Sequence, residues 1–353
     1  MAFVDIKARL KGRAATIRDV AAVAGVSTAT VSRVLAPDGT GRVSEKTRLR
    51  VNSAVTKLGY RANHAARSLK TRSTRTIAIV APELANAFFM DLAEGMEREL
   101  DIHGYTLLIA SSANSVEEEK KRVFMLADRM VDGMVVIPAG SRGDHLRISD
   151  SYGPPIVLVD RLVEGAGLDA ILSDNETGAF DLTRALIADG FRRIAFVGGD
   201  TAISSARERL SGFTRALREG DLEADLIYLG GMGVEDGHKR METILRSPRP
   251  PEALVAVNLL VHLGIERRLL EYGQGTRPAM VVAAFDETVY TPFLPVCRYT
   301  AAQDAVGMGK QAVRRIMERI NLKKKAGQFT LESRGPETAG NRVIRFPVTI
   351  IRH

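Results

Sequence analysis

Polar side chains follow several apolar runs in this 353-residue sequence, and their types suit ligand binding. Asp160, Asn258 and Asp286 each come directly after an apolar run, Arg207 lies in a polar segment after a glycine pair, and Gln303 follows Thr-Ala-Ala. Carboxylates accept hydrogen bonds, whereas the guanidinium and the amides can donate them. This set of groups suits the vicinal hydroxyl groups of an uncharged ligand.

The sequence lacks the motifs that accompany common catalytic and cofactor chemistry. Gly307-Met-Gly-Lys310 has neither the upstream glycine nor the following Ser or Thr of a phosphate-binding loop, and Gly230-Gly-Met-Gly233 is not a dinucleotide fingerprint. No Gly-x-Ser-x-Gly nucleophile elbow occurs. The six histidines have no spacing typical of a metal site. We therefore expect no catalytic residue, no metal and no cofactor.

Apolar runs alternate with amphipathic stretches from Thr76 onward, and these elements would position the polar groups. The first series of runs is 77–81, 106–110, 133–137 and 156–159, and helical patterns lie near 88–102, 116–130 and 142–151. The second series is 194–197, 226–229, 253–257 and 280–284. Strand–helix alternation predicts parallel sheets with right-handed crossovers. Two series predict an α/β core of two doubly wound lobes, with a cleft between the carboxyl ends of their strands.

Positive charge is concentrated at the N-terminal end of the chain. Residues 1–76 carry a net charge of +12, the remainder carries −4, and the whole chain carries +8. Such segregation is typical of a nucleic-acid-binding segment attached to a neutral or acidic body. A solvated basic surface without a partner is the simpler alternative.

The basic segment has the pattern of a helix-turn-helix. Apolar spacing predicts helices over 17–24, 28–35 and 44–58. Gly25 can end the first helix, and Ser27 is a favourable N-cap for the second. The exposed side of the second helix would enter the major groove, where a guanidinium can bind guanine. The candidate DNA-binding residues on this helix are Ser27, Thr28, Ala29, Thr30, Ser32 and Arg33.

The N-terminal residues and the cysteine content indicate a cellular compartment. Residues 1–15 alternate basic and apolar side chains without a long apolar run, so we predict neither a signal peptide nor a membrane anchor. The single cysteine, Cys297, excludes an intrachain disulfide and suits a reducing compartment. We expect a cytoplasmic protein in which Cys297 is a small buried residue.

The segment Thr16–Leu35, TIRDVAAVAGVSTATVSRVL, resembles the head of the lactose-repressor (LacI/GalR) family of bacterial regulators. Val43–Arg48 and Leu58–Tyr60 continue the resemblance, which extends to about residue 335. It implies an all-α helix-turn-helix head and a two-lobed core similar to periplasmic sugar-binding proteins. It also implies a homodimeric repressor that binds a pseudo-palindromic operator and responds to a small sugar-like effector.

The resemblance further implies a hinge at Asn63–Lys70. In the family this segment is a short helix that becomes ordered on DNA and inserts a leucine into the minor groove, and Leu69 occupies the matching position. Asn63 and Arg67 are the other hinge residues that we expect to contact DNA. An ordinary packing role for Leu69 remains the alternative.

The same resemblance assigns effector contacts to residues of the core. These are Phe88, Phe89, Asp160, Arg207, Asn258, Asp286 and Gln303. Simpler roles remain open for five of them: Asp160 could pair with Arg161 at the surface, Arg207 could lie on a solvated helix face, Asn258 could cap a helix, and the two phenylalanines could be core residues. Met232 stands where several relatives have an aromatic residue, so the cleft should be less aromatic.

We expect four parts along the chain. A basic extension spans 1–15, the helix-turn-helix domain spans 16–60, the hinge helix and linker span 61–76, and the effector-binding core spans 77–353. Within the core, lobe 1 would comprise about 77–173 and 304–335, and lobe 2 would comprise about 174–303 and 336–353. The helix near 304–322 should thus return to lobe 1.

Two other classes of function compete with a regulator. A sugar-binding transport component would share the two-lobed body, but a signal peptide would mark it. A sugar-modifying enzyme would need an acid/base pair together with a cofactor or metal, and hydroxyl binding explains Asp160 and Asp286 without chemistry. The favoured hypothesis is a repressor of catabolic genes under allosteric control.

Overall fold

The computed structural model describes residues 14–35, 43–60, 73–271, 279–326 and 342–353. The chain divides into two compact units, Met1–Thr74 and Arg75–His353, and each is described by itself. The hinge residues Asn63, Arg67 and Leu69 lie outside the described residues.

The head contains three helices, α1 (Ile17–Ala24), α2 (Thr28–Val34) and α3 (Glu45–Leu58). Each begins at a hydroxyl side chain that accepts a backbone hydrogen bond, because Thr16, Ser27 and Ser44 are the N-caps. Gly25 ends α1 with φ 61°, a left-handed conformation that glycine adopts without strain. The apolar faces of the three helices pack on one another through Val20, Ala21, Ala24, Val31, Val34, Val51 and Ala54.

The first lobe of the core is built on a six-stranded sheet. Its strands are β1 (Thr76–Ala81), β2 (Thr106–Ser111), β3 (Gly133–Val136), β4 (Ile156–Val159), β5 (Asp169–Ser173) and β11 (Val343–Phe346). Their order is β11-β5-β4-β3-β1-β2, and all pairings are parallel. The helices of this lobe are α4 (Ala87–His103), α5 (Val116–Asp128), α6 (Asp144–Tyr152) and α11 (Ala305–Ala326).

The second lobe repeats this plan. Its strands are β6 (Ile194–Val197), β7 (Ile227–Tyr228), β8 (Ala253–Ala256), β9 (Val281–Phe285), β10 (Cys297–Gln303) and β12 (Val348–Arg352). Their order is β12-β10-β9-β8-β6-β7, and only β12 runs antiparallel, against β10. The helices are α7 (Asn175–Ala188), α8 (Ser204–Glu219), α9 (Val234–Leu245) and α10 (Leu259–Glu271), and a 3₁₀ turn spans Thr291–Phe293.

Both sheets are covered on their two faces, as expected for parallel strands made of continuous apolar runs. In the first lobe, α4 and α11 pack on one face, and Val123 and Leu126 of α5 pack on the other with Leu146 of α6. Gly309 lets α11 approach α4 closely, because a Cβ atom there would lie 2.1 Å from the carbonyl oxygen of Leu92. The α/β class and the two doubly wound sheets are thus confirmed.

The chain passes between the lobes three times, after β5, after β10 and after β11. Helix α11 returns to the first lobe, as expected, and its Met308, Val313 and Ile316 pack there. The expected assignment of all of 336–353 to lobe 2 is wrong for β11, which pairs with β5 of the first sheet. Pro347 separates β11 from β12, and because proline has no N–H group it interrupts the ladder where the chain changes sheets.

Candidate functional site

The candidate DNA-binding residues of the head lie on the outer side of α2. Thr28, Ala29, Ser32 and Arg33 are exposed, and Thr30 is half-buried. Their short side chains leave the helix surface open to a groove, and Arg33 projects from its last turn. The Arg33 side chain forms no ion pair or hydrogen bond with any residue that the structure describes. It is therefore available to an outside partner.

Ser27 and the basic residues of α3 have different local roles. The Ser27 hydroxyl caps α2 by accepting a 3.1 Å hydrogen bond from Thr30 N. Arg50 of α3 donates from Nη2 to the carbonyl oxygens of Ala24 and Gly25. Arg50 thus holds the end of α1, whereas Lys46 at the start of α3 is exposed.

A cleft lies between the two lobes at the carboxyl ends of their strands. It is lined by polar and apolar side chains from both lobes: Asn86, Phe88, Phe89, Asp160, Arg161, Ser205, Arg209, Met232, Asn258, Asp286 and Gln303. The structure therefore brings together every predicted effector residue except Arg207.

Two aspartates enter the cleft directly from strand ends. Asp160 follows β4 with φ 66°, and Asp286 follows β9 with φ 75°. A positive φ is uncommon outside glycine, although Asp tolerates it better than most residues. The backbone N–H of Asp160 donates to Ile171 O at 2.9 Å, and that of Asp286 donates to Ala301 O at 3.2 Å. Neighbouring strands therefore hold both turns in place.

Asp160 pairs with Arg161, but this pair is not at the surface. Asp160 Oδ2 lies 3.6 Å from Arg161 Nε, and each side chain is 7% exposed. Arg161 Nη1 also donates to Pro138 O at 3.0 Å. Burial raises the pKa of Asp160 and lowers that of Arg161, because a charged group loses solvation there. The surface ion pair considered from the sequence is thus replaced by a buried pair that lines the cleft.

The structure places Arg209, not Arg207, in the cleft. Arg207 is exposed and donates to Thr201 O at 2.9 Å. Ser205 and Arg209 are four residues apart on α8 and share the face toward the cleft, whereas Arg207 lies near the opposite face. Arg207 therefore lies on a solvated helix face, which is the simpler role considered for it from the sequence.

Arg209 is held by two hydrogen bonds and by contact with an aromatic ring. Nε donates to Asn175 Oδ1 at 2.8 Å, and Nη1 donates to Val257 O at 2.7 Å. The guanidinium carbon lies 3.8 Å from the centroid of the Phe285 ring. Burial lowers the pKa of Arg209, and the nearby carboxylates of Asp286 and Asp160 oppose this shift.

Asn258 and Asp286 both accept from backbone N–H groups at the start of α10, and Asp286 also accepts from Gln303. Asn258 Oδ1 accepts from Val261 N at 3.0 Å, and its Nδ2 donates to Met232 O at 3.0 Å. Asp286 Oδ2 accepts from Leu259 N at 3.2 Å, and its Oδ1 accepts from Gln303 Nε2 at 2.6 Å. Asn258 therefore caps α10, as one alternative held, and it lines the cleft as well.

Phe88 and Phe89 begin α4 and form the apolar wall. Their ring centroids are 5.6 Å apart at an interplanar angle of 63°, and both side chains are nearly fully buried. Asn86 caps the helix through its Oδ1, which accepts from Phe88 N at 3.1 Å. The rings pack with the first-lobe core and line the cleft, so the two roles considered for them coexist. Met232 stands opposite as a flexible apolar side chain.

Sequence reasoning missed Asn86, Arg161, Ser205 and Arg209 as lining residues. Helical spacing could have found Arg209, because Ser205 sits in the first turn of a helix and i, i+4 residues share a face. Arg161 had no such signal, since a residue after a strand end can point either way.

The described residues contain no group of three or more His, Cys, Asp or Glu side chains that could hold a metal ion. No helix within the described ranges is long and apolar enough to cross a membrane.

Two family descriptions match this sequence. "Bacterial regulatory proteins, lacI family" matches residues 16–63, and "Periplasmic binding proteins and sugar binding domain of LacI family" matches residues 74–351. The chain is 30% identical to the HTH-type transcriptional repressor CytR of Escherichia coli K12, over 89% of this chain and 92% of that protein. It is 32% identical to the repressor PurR of Vibrio atlanticus, over 88% of this chain and 93% of that protein.

Solved structures agree with these matches. A complex of the transcriptional regulator CelR with cellobiose has a TM-score of 0.66 at 27% identity and covers 96% of this chain and 98% of that chain. The lac repressor dimer bound to operator and the anti-inducer ONPF has a TM-score of 0.79 at 24% identity, with coverage of 96% and 98%, and it shows the shared fold.

Proposed function

This chain belongs to the LacI family of bacterial regulatory proteins, and from that premise we propose that it represses catabolic genes under the control of a small sugar-like effector bound in the cleft. It is a DNA-binding transcriptional regulator and not an enzyme. The match of residues 16–63 to the family's DNA-binding segment argues against a transport component.

The composition of the cleft supports the proposal of a small sugar-like effector. The two lobes contribute buried carboxylates, Asp160 and Asp286, beside two buried guanidinium groups and three amide side chains. Such a set can accept from and donate to several hydroxyl groups at once. The CelR complex with cellobiose supports the sugar class, since that regulator is similar over nearly the whole chain.

For the operator, we propose that α2 enters the major groove and that Arg33 contacts a guanine edge. Thr28, Ala29, Thr30 and Ser32 would contact the same half-site, with Ser27 at its phosphates. The hinge residues Asn63, Arg67 and Leu69 would add minor-groove contacts, with Leu69 as an apolar wedge. Such a regulator works where operator DNA is present, in the bacterial cytoplasm.

We propose a homodimer, because one head reads too few base pairs for useful specificity. Apolar side chains on the surface of the effector-binding part of the chain support a dimer. Tyr290 is 62% exposed and Phe293 is 80% exposed. In the first lobe, Ile102 is 76% exposed, beside the edge strand β2. Large apolar groups at the surface are typical of protein interfaces.

Effector can change operator affinity only if it binds two arrangements of the lobes with different strength. Contacts between the lobes hold the arrangement seen in this structure. Ser204 Oγ of α8 accepts from Leu162 N at 2.7 Å, and Glu208 pairs with Arg345 of β11 at 2.9 Å. An effector that alters lobe closure would change these contacts and, through the dimer, the spacing of the hinges.

The test consists of two titrations of the full chain, one with operator DNA and one with sugars. An operator enriched from random duplexes is titrated by fluorescence anisotropy, with and without the sugars of a screening panel. Leu69→Ala should weaken operator binding and leave sugar affinity unchanged. Loss of sugar binding in Leu69→Ala, or operator binding by a stable monomer in sedimentation, would contradict the proposal.

A further inference from the structure

Two of the passages of the chain between the lobes lie next to each other. The first runs through Asp174, between β5 and α7, and the third runs through Pro347, between β11 and β12. Strands β5 and β11 are neighbours in the first sheet, and the backbone N–H of Asp174 donates to Phe346 O at 2.8 Å. Because the connecting residues absorb the change when two lobes move, contacts at this place respond to lobe motion.

An ion pair joins the two lobes beside these passages. Arg345 of β11 belongs to the first lobe, and Glu208 of α8 belongs to the second. Nη2 and Nη1 of Arg345 lie 2.9 and 3.0 Å from the two carboxylate oxygens of Glu208, a bidentate geometry that makes such pairs strong. The hydrogen bonds with Glu208 raise the pKa of Arg345, and the charges of Glu208, Asp174 and Glu176 add to this shift. Arg345 is therefore a first-lobe cation that faces carboxylates of the second lobe and of the passage between them.

The side chain of Asn175, the first residue of α7, connects this ion pair to the cleft. It is buried and uses both ends of its amide. Nδ2 donates to Ser173 O at 3.3 Å and to Glu208 Oε2 at 3.4 Å, and Arg345 Nη1 donates to the same carbonyl at 3.3 Å. Oδ1 accepts from Arg209 Nε at 2.8 Å. A continuous set of hydrogen bonds thus runs from Arg345 in the first lobe to a guanidinium that lines the cleft.

The two ends of the Asn175 amide are not interchangeable. Only the NH₂ end can donate to Glu208, and only the oxygen can accept from Arg209, so these contacts hold the amide in one orientation. The guanidinium of Arg209 is then held through Nε by Asn175 and through Nη1 by Val257 O at 2.7 Å. Glu208 and Arg345 thus help to fix the direction of Arg209, although neither of them lines the cleft.

A second ion pair near the start of α7 provides a comparison. Glu176 of α7 pairs with Arg215 of α8 at 2.6 Å, and both side chains are partly exposed, as are those of Glu208 and Arg345. Both partners of this second pair lie in the second lobe, so it holds α7 on α8 and does not respond to lobe motion. The pair of Glu208 with Arg345 responds to it because its partners belong to different lobes.

We propose that Asn175, Glu208 and Arg345 form an interlobe latch, which holds the lobes in the arrangement seen in this structure and positions Arg209 in the cleft. Separation of Arg345 from Glu208 removes a partner of Asn175 and so loosens Arg209. By reciprocity, a ligand that moves Arg209 away from Asn175 weakens the latch. This inference rests on the proposed function, because it supplies the contact through which the cleft and the lobe arrangement are coupled.

The arrangement of the lobes can be measured on the full chain without operator and without ligand. Lys120 of α5 and Lys239 of α9 are exposed and lie in different lobes. Spin labels on Lys120→Cys and Lys239→Cys, with Cys297→Ser and unlabelled chain in excess, report their distance by double electron–electron resonance. Arg345→Gln should broaden the distance distribution or add a second distance, with a change of about two- to fivefold in the ratio of populations. Raised salt should change the parent chain in the same direction and leave Arg345→Gln nearly unchanged, because salt screens this partly exposed pair.

The position of Arg209 is followed by nuclear magnetic resonance on the same full chain with isotope-labelled arginine. Its Nε–H should exchange slowly with water, because it is buried and hydrogen-bonded to Asn175, and Arg209→Lys identifies the signal by its loss. Asn175→Ala and Arg345→Gln should each shift this signal and accelerate its exchange several-fold. The double variant should exchange no faster than Asn175→Ala alone, because both substitutions act through the same contact.

Arg215→Gln is the matched control, since it breaks an ion pair of α8 that lies within one lobe. It should leave the distance distribution and the Arg209 signal unchanged. The inference is overturned if Arg345→Gln changes neither measurement, if it changes only one of them, or if Arg215→Gln reproduces its effects. Failure of the parent chain to bind operator contradicts the proposed function alone, because neither measurement uses DNA.

Discussion

The head and the cleft place their charged groups in opposite environments. In the head, Arg33 is exposed and has no partner among the described residues, and Lys46 is exposed as well. In the cleft, Asp160, Arg161 and Arg209 are buried, and hydrogen bonds hold Arg161, Arg209 and Asp286. The head therefore offers charge to a large polyanion, whereas the cleft offers a fixed arrangement of acceptors to a small ligand.

This difference predicts two kinds of recognition. Binding by exposed cations depends on counterion release and so weakens steeply with salt. Binding by a buried, prearranged group depends on geometry and desolvation, and salt screens it much less. Substitutions in the cleft should also change folding stability, because the cleft residues stabilise the lobes, whereas substitutions on α2 should not.

The largest effect is expected for Arg209→Ala. Removal of this guanidinium leaves Asn175 Oδ1 and Val257 O without donors, and two unpaired buried acceptors should lower the free energy of unfolding by about 2–5 kcal/mol. Urea unfolding measures this decrease. The matched variant Arg207→Ala, on the exposed face of the same helix, should stay within about 0.5 kcal/mol of the parent chain. Equal decreases in the two variants would show that the buried hydrogen bonds of Arg209 do not add to the stability of the chain.

A smaller effect is expected for Asp286→Ala. Leu259 N and Gln303 Nε2 lose their acceptor and alanine is strained at this positive φ, so the free energy of unfolding should fall by about 2–4 kcal/mol. Gln303 is then free to rotate, so the response of operator binding to effector should disappear. Anisotropy with and without effector measures the response, and effector-free operator affinity is the control. A normal response would show that Asp286 does not orient the residues that bind the ligand.

Substitutions in the head should affect DNA binding and leave the fold unchanged. Arg33→Ala should reduce the preference for operator over random DNA roughly tenfold to hundredfold for each guanine that the guanidinium binds in bidentate fashion. Lys46→Ala should instead weaken both DNAs alike and reduce the salt slope by about one charge. Anisotropy at several salt concentrations distinguishes the two. If Arg33→Ala weakened binding to operator and to random DNA equally, Arg33 of α2 would not recognise a base in the operator.

The smallest effect is expected for the pH dependence of the free energy of unfolding, measured with Asp160→Asn. Burial raises the folded-state pKa of Asp160, so the native state holds a proton that the unfolded state releases as pH rises. The contribution of this carboxyl is therefore most favourable below its unfolded-state pKa and is lost as pH rises through the folded-state pKa. Asp160→Asn should be more stable than the parent chain at pH 7, and the difference should shrink toward pH 4. A difference independent of pH would show that Asp160 is not desolvated in solution.

Most of the fold could be predicted from periodicity, because the apolar runs of parallel strands are continuous and their helices carry clear caps. The eight expected core strands and the three head helices all occur. Strand β5 was not expected, since Asp169-Ala-Ile-Leu-Ser173 is short and begins with a charged residue that α11 neutralises through Arg315 at 2.9 Å. Such compensation between distant segments has no local signal.

The lining residues of the cleft could be predicted where they directly follow a strand. Asp160, Asn258 and Asp286 follow strands, and parallel topology brings such positions to one edge. The resemblance assigns an effector contact to Arg207, but Arg209 lines the cleft, and which arginine of this segment faces it depends on where α8 begins. Asn86 and Arg161 required knowledge of tertiary packing, since neither residue type nor spacing distinguishes them from surface residues.

The positive φ angles of Asp160 and Asp286 have a consequence for engineering a regulator with a new ligand. Random substitution at these two positions would mostly yield chains that fold poorly, because few residues besides Gly, Asn and Asp adopt that backbone without strain. Ser205, Met232 and Gln303 line the same cleft without a positive φ. A library that keeps both aspartates and varies these three positions would sample new binding preferences while most of its members still fold.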